Sequence, residues 1–208
     1  FSDTIPDTMA KVIDTFKEYH AKDRAAWRKW LEKNHAKEEG VWLIYYKKDS
    51  GKTRVDYHDA VREAICLGWI DSTLRPIDDE KYKQLFMPRK AKSGWSQLNK
   101  QYAAELTEMG LMTEAGLEKI EQAKQHGTWS KLDHIESFTV PEDLEQALKK
   151  NKTALKYFEG LVKSNKKYLL HWLSTAKKEE TRGVRIDTIM SALKEERMPD
   201  RFIRKPKK

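Results

Sequence analysis

The residue types best suited to chemistry gather in one stretch. From Lys81 to Ala104 there is no Asp or Glu, while Lys81, Lys83, Arg89, Lys90, Lys92 and Lys100 all carry positive charge. Within it, Pro88-Arg89-Lys90 leads into Ser93-Gly94-Trp95-Ser96, where a helix is expected to start. A helix start presents free backbone N–H groups at the positive end of its dipole. Together with serine hydroxyls, a small Gly94 and the guanidinium of Arg89, these are the donors an oxyanion requires. Arg89, Ser93, Trp95, Ser96 and Asn99 therefore form a candidate anion site. The competing reading is that Ser93 or Ser96 only caps the helix and the cations are solvated.

A neighbouring strand adds Trp69, Asp71 and Arg75, which share one face if the strand is ideal. They would wall the same site. Asp71 or Asp78 would also serve as a general base in a metal-free enzyme, provided the carboxylate lies in a pocket that raises its pKa. If Arg89 instead pairs with Asp71 or Asp78, the group is a structural clamp.

Other motifs carry less. Gly51-Lys52-Thr53 matches the end of a phosphate-binding loop, but Tyr46 stands where that loop needs a glycine, and the following residues read as extended. A hairpin turn is expected there. The six histidines show no zinc-ligand spacing, and no metal or cofactor is expected. Cys66, between Ile65 and Leu67 on an amphipathic helix, reads as a packed thiol. Thr181-Arg182-Gly183-Val184-Arg185 places two guanidiniums one turn apart, beside Glu179 and Glu180, and predicts an internal salt-bridge network.

Charge and composition limit the classes. The chain has 208 residues and a net charge of +8. Five of those excess charges fall after residue 196, so the body is only mildly basic. Nucleic-acid binding through the tail and the 81–104 stretch is thereby disfavoured. The leading partner is an anionic ligand or a peptide. The longest uncharged run, Tyr168 to Ala176, is nine residues, against about 20 apolar residues for a membrane span. Residues 1–10 show no apolar export core. With the lone cysteine, a reducing, cytoplasmic compartment is expected.

The elements that must position these residues follow from periodicity and caps. Residues 1–20 fit helix and strand equally. Asp23, Asp56, Ser93 or Ser96, and Thr113 are each expected to cap a helix. Gly68, Gly110 and Gly127 are the expected stops. The apolar run Val41 to Tyr46, with Trp69–Ile77 and Lys81–Met87, predicts a small antiparallel sheet of about three strands. Residues 128–139 read as a packed loop, and the chain beyond as helical. The predicted fold is α+β: a sheet domain over 1–135, an all-helical portion over 136–196 and a frayed basic tail over 197–208.

Several of these stretches carry a family likeness. Gly40-Val41-Trp42-Leu43, Leu67-Gly68-Trp69-Ile70-Asp71, Pro88-Arg89-Lys90, Ser93-x-Trp95-Ser96-x-x-Asn99 and Gly110-Leu111-Met112-x-x-Ala115-Gly116 resemble the YdeI/OmpD-associated family, also labelled bacteriocin-protection proteins. Ala123-Lys124-x-x-Gly127-x-Trp129, Val140-Pro141-x-Asp143-Leu144 and Ala176-Lys177-x-x-Glu180-Thr181-Arg182-x-x-Arg185-Ile186 extend the resemblance over roughly 23–196. It implies a non-enzymatic role in tolerating bacteriocins or cationic antimicrobial peptides.

Overall fold

The aromatic, β-branched run after Gly40 is a strand, as its side chains favour. The computed structural model describes residues 12–203. Its strands are β1 (Glu18–Tyr19), β2 (Val41–Tyr46), β3 (Trp69–Pro76) and β4 (Lys81–Pro88). Where the sequence predicts three antiparallel strands, the sheet has four, in the order β1-β2-β4-β3. The extra strand, β1, runs parallel to β2. The ambiguous stretch supplies both structures: Val12 and Ile13 are helical and Glu18–Tyr19 is strand. Its earlier part, with Met9, lies outside the described residues.

Register fixes the two faces of the sheet. Val41, Leu43 and Tyr45 stand opposite Phe86, Gln84 and Tyr82. That inner face is covered by α1 (Arg24–Asn34) and α2 (Tyr57–Cys66). Trp27, Leu31, Ala60, Ala64 and Ile65 pack there with Val41, Leu43, Trp69 and Phe86. From α3 (Gln97–Glu108), Tyr102 and Leu106 join the same core. Leu98 and Met109, although apolar, are exposed. The outer face carries a smaller cluster of Ile13, Trp42 and Leu85.

The expected caps form. Asp23 accepts from the Ala26 amide at 2.7 Å, and Asp56 from His58 at 2.8 Å. Thr113 starts α4 (Glu114–Gln125) by accepting from Gly116. Asp59 does not complete a capping box; its carboxylate accepts from Arg24 instead. Gly68 ends α2 in the left-handed region at φ +76°, where a Cβ is strained. Gly51-Lys52-Thr53 lies in the strand-to-helix link after β2 rather than in a hairpin, and Lys52 pairs with Glu80 at 3.0 Å. Cys66 is buried at the end of α2, and burial pushes its thiol up to about 11.

The first compact unit ends at Lys131 and a second begins at Leu132. The second is helical: α5 (Asp133–Glu136), α6 (Glu142–Lys149), α7 (Lys152–Gly160), α8 (Lys163–Ser174) and α9 (Glu179–Lys194). The expected loop 128–139 thus contains one helical turn. Leu144, Leu148, Phe158, Leu169, Leu173, Ile189 and Leu193 build a core of its own. Thr181 does not cap; α9 begins two residues earlier, at Glu179. Arg182 grips both oxygens of Asp143 and donates to the Leu173 carbonyl. Arg185 donates to the Trp172 carbonyl and the Thr175 hydroxyl. The network is therefore half ion pair, half capping of the C-terminal carbonyls of α8. Among the described residues no helix is long and apolar enough to cross a membrane. The sheet is mostly antiparallel, strands and helices share the first unit and the second unit is all helix, so the fold is α+β.

Candidate functional site

Arg89 follows the last residue of β4, and its backbone N–H donates to the Gly68 carbonyl at 2.8 Å. The side chain is 3% exposed, so it is not a solvated cation. Its guanidinium carbon lies 3.7 Å from the centroid of the Trp95 ring, and Nη1 donates to the Gly94 carbonyl at 3.0 Å. Trp95 is itself buried and meets Trp129 with centroids 5.0 Å apart. Nε and Nη2 of Arg89 are buried with no hydrogen-bond partner. No ion pair with Asp71 or Asp78 is made by these nitrogens. Burial lowers the Arg89 pKa to about 10, opposed by the charge of Asp71.

Ser96 caps α3, accepting from the Asn99 amide at 3.2 Å. Ser93 does not cap; its N–H closes a turn on the Lys90 carbonyl at 2.9 Å. The loop Lys90–Trp95 is pinned from outside by Thr128, whose hydroxyl donates to the Ala91 carbonyl at 2.9 Å.

Trp69, Asp71 and Arg75 do not share a face. Trp69 pairs with Pro88 and Asp71 with Phe86, but Leu74 pairs with Gln84. Three steps on β3 thus match two on β4. This bulge, between Asp71 and Leu74, turns every later residue over. Trp69 and Asp71 face inward. Arg75 faces outward, stacks over Trp42 at 4.9 Å and pairs with Asp14. Trp69 is core: its Nε1 donates to the His35 carbonyl at 3.2 Å. Of the three, only Asp71 keeps an inward-facing carboxylate, level with Phe86.

Asp71 accepts from the Tyr57 hydroxyl at 2.8 Å and from Gln84 Nε2 at 3.4 Å. Burial raises its pKa, against the lowering effect of the Tyr57 bond and the Arg89 charge. Tyr45, on the same inner face, is fully buried and its hydroxyl has no partner. Tyr45 stacks on Tyr82, centroids 5.2 Å apart, and Tyr82 accepts from Arg54 at 3.3 Å. Asp78 is different. It lies in the exposed β3–β4 turn, where the amides of Glu80 and Lys81 donate to its carboxylate and help hold its pKa down. A carboxylate so stabilised is a poor base.

The polar groups of the inner face are therefore spread along it: the buried Arg89 cation lies past the Trp69–Pro88 pair, the half-buried Asp71 carboxylate is level with Phe86, and the orphan Tyr45 phenol is level with Tyr82 at the other end. An unsatisfied buried donor costs about 1–3 kcal/mol, more when charged. The Trp95 stack and the Gly94 carbonyl offset part of that cost. What Arg89 offers chemically is two guanidinium donors for a polar group that is not part of the chain. Tyr45, Tyr57 and Gln84 were not predicted as site residues. Gln84 carries a sequence signal, an amide at an inward position next to Leu85-Phe86; Tyr45 and Tyr57 carry none beyond ordinary strand and helix-start patterning.

Two family models match the chain. Residues 137–196 match the family described as Bacteriocin-protection, YdeI or OmpD-Associated. Residues 19–119 match a domain of unknown function, DUF8412. The resemblance read from the sequence is thus shown for the C-terminal part, while the motifs between Gly40 and Gly116, and with them Arg89 and Asp71, fall in the other match. No curated protein and no solved structure matches the chain.

Proposed function

We propose that this protein is a non-enzymatic binding protein that holds the anionic group of a small ligand on Arg89, in a tolerance role of the bacteriocin-protection type. The single observation behind the binding reading is the buried Arg89 guanidinium with Nε and Nη2 unpartnered. A buried charge is normally paired or bonded on all sides. The fixed stack on Trp95 orients the fork before any ligand arrives, which lowers the ordering cost of binding. The match over residues 137–196 supports the family-level role; it does not reach the site. Both orphan nitrogens are closed to bulk water, so a ligand reaches them only through a local opening. A cytoplasmic setting suits the lone Cys66 thiol, and a body that is only mildly basic, with five of the excess charges after residue 196, gives nucleic acid little to track.

Calorimetric titration with acetate and with inorganic phosphate tests the reading. Wild-type protein should bind at least one of them saturably and more weakly as salt rises. Arg89→Met should abolish binding while circular dichroism stays unchanged. Equal binding by Arg89→Met, or none by wild type, would overturn it. Asp71, half-buried and hydrogen-bonded to Tyr57, is the residue that favours a second reading, general-base catalysis. A bound ligand recovered chemically altered would select that one.

A further inference from the structure

We propose that the helical unit carries a saccharide-binding groove, independent of Arg89 and of the anion reading. The groove, about 640 Å³ in volume, is lined by Trp172 of α8, by Asp187 and Ser191 of α9, and by Arg197, Asp200 and Arg201 beyond it. Small-molecule sites span roughly 300–1,000 Å³, and all of these residues belong to one compact unit. Trp172 is the residue that asks for a ligand. Its Nε1–H is buried with no hydrogen-bond partner, although the residue lines the groove. A buried indole N–H ordinarily finds an acceptor. The rest of Trp172 is held: its carbonyl accepts from Arg185, Phe202 meets the ring edge-on, and Arg201 lies 4.6 Å from the ring centroid. The N–H is closed to bulk water, so a ligand reaches it through a local opening. Arg201, exposed and stacked on the ring with no ion pair to any described residue, is the side chain that swings aside.

The charge balance of the groove decides the ligand class. Its two guanidiniums and two carboxylates sum to zero. Arg197 pairs with Asp200 at 2.7 Å, which leaves Arg201 and Asp187. An anion drawn to Arg201 meets carboxylates in the same groove, and a cation drawn to Asp187 meets guanidiniums. Arg201 and Asp187 are also exposed, so an ion pair to either gains little over water. The buried feature is a neutral donor, which favours a neutral ligand rich in acceptors. A hydroxyl is one donor and two acceptors. It donates to Asp187 and accepts from Ser191, Arg201 or the Trp172 N–H. Neighbouring hydroxyls on a sugar ring match the two oxygens of a carboxylate and the fork of a guanidinium. An apolar ligand of the same size would leave those groups unpaired.

Proton–nitrogen correlation spectra test this directly, because Trp172→Phe identifies the Trp172 indole signal by removing it. Glucose, N-acetylglucosamine and maltose are the probes, with phosphate and glycine as charged and zwitterionic controls. At least one sugar should move the indole signal saturably. Trp172→Phe keeps an aromatic ring beside Phe202 and loses only the donor. Its affinity for that sugar, followed at the Ser191 backbone amide, should fall about threefold to tenfold, the worth of one hydrogen bond. Asp187→Ala, at an exposed position, should cost a similar factor, and it decides alone if Trp172→Phe does not fold. If no sugar moves the signal, or if both variants bind as wild type does, the groove is not a saccharide site. Saturable movement by phosphate or glycine and by no sugar would overturn the ligand class.

Discussion

Arg89 lies on the face of Trp95, its guanidinium carbon 3.7 Å from the ring centroid, and both side chains are buried. The stack holds a charge in place that the rest of the chain does not neutralise. Two of its nitrogens lack partners, so in the absence of ligand the site costs stability. Replacing such a charge by an apolar side chain of similar length is often neutral or stabilising, by up to about 4 kcal/mol for buried ion groups. Arg89→Met should therefore melt at or above the wild-type temperature. Trp95→Ala should lose about 3–5 kcal/mol, as for other buried aromatics. A large loss of melting temperature in Arg89→Met would make Arg89 a structural clamp and remove the basis of the site.

Asp71 predicts a pH signature. Burial raises its pKa above the ordinary value of 3.8, so the folded state keeps the proton to higher pH than the unfolded chain. Folded protein then binds more protons in that window, and stability falls as pH rises through it. Asp71→Asn lacks this titration. The melting-temperature difference, wild type minus variant, should decline as pH rises above about 4. A difference that grows instead would mean that Asp71 is stabilised as a carboxylate, by a partner stronger than Tyr57.

The parts of this fold legible in the sequence are those decided within a few residues. Asp23, Asp56, Ser96 and Thr113 cap their helices because a side chain bonds an amide two or three positions on. The site is less legible because its decisive features are not local. One extra residue between Asp71 and Leu74 moves Arg75 to the other face, and no residue type in Ser72-Thr73 announces it. Arginine composition implies a solvated surface, whereas Arg89 is buried through Trp95 and the loop above it. Tyr57 meets Asp71 only because α2 packs over β3, fourteen positions along the chain.

Gly116 sits where no other residue fits. A Cβ there would lie 2.3 Å from the Cys66 carbonyl oxygen, a backbone atom that cannot step aside. Thr113 also bonds that oxygen, through both its amide and its hydroxyl, which locks α4 against the end of α2. Gly116→Ala should cost about 1–3 kcal/mol as overpacking. Gly183 is the matched contrast: it lies within α9 with nothing near a Cβ, so Gly183→Ala should gain up to about 1 kcal/mol of helix propensity. Denaturant midpoints of the two variants should move in opposite directions. Parallel shifts would mean that the α2–α4 contact yields more easily than its backbone geometry indicates.

The C-terminal segment predicts a split between two truncations. Its composition suggests a dispensable basic tail from residue 197. In the structure, Met198 and Phe202 pack on the helical core. The Phe202 ring stacks on Tyr168 with centroids 6.1 Å apart and meets Trp172 edge-on at 5.6 Å. Arg201 covers the other aromatic partner, 4.6 Å from the Trp172 centroid. Full burial of a Phe side chain is worth about 1.5–3 kcal/mol, and Phe202 is only partly buried, so about half of that is expected. Ending the chain after Arg197 should lower the melting temperature of the helical unit by several degrees. Ending it after Ile203 removes only charged residues and a proline and should change it little. Phe202→Ala in the full chain should reproduce most of the longer truncation's loss. If both truncations melt with wild type, the aromatic contacts of Phe202 contribute nothing to stability, and the segment from residue 197 is the free tail its composition suggests.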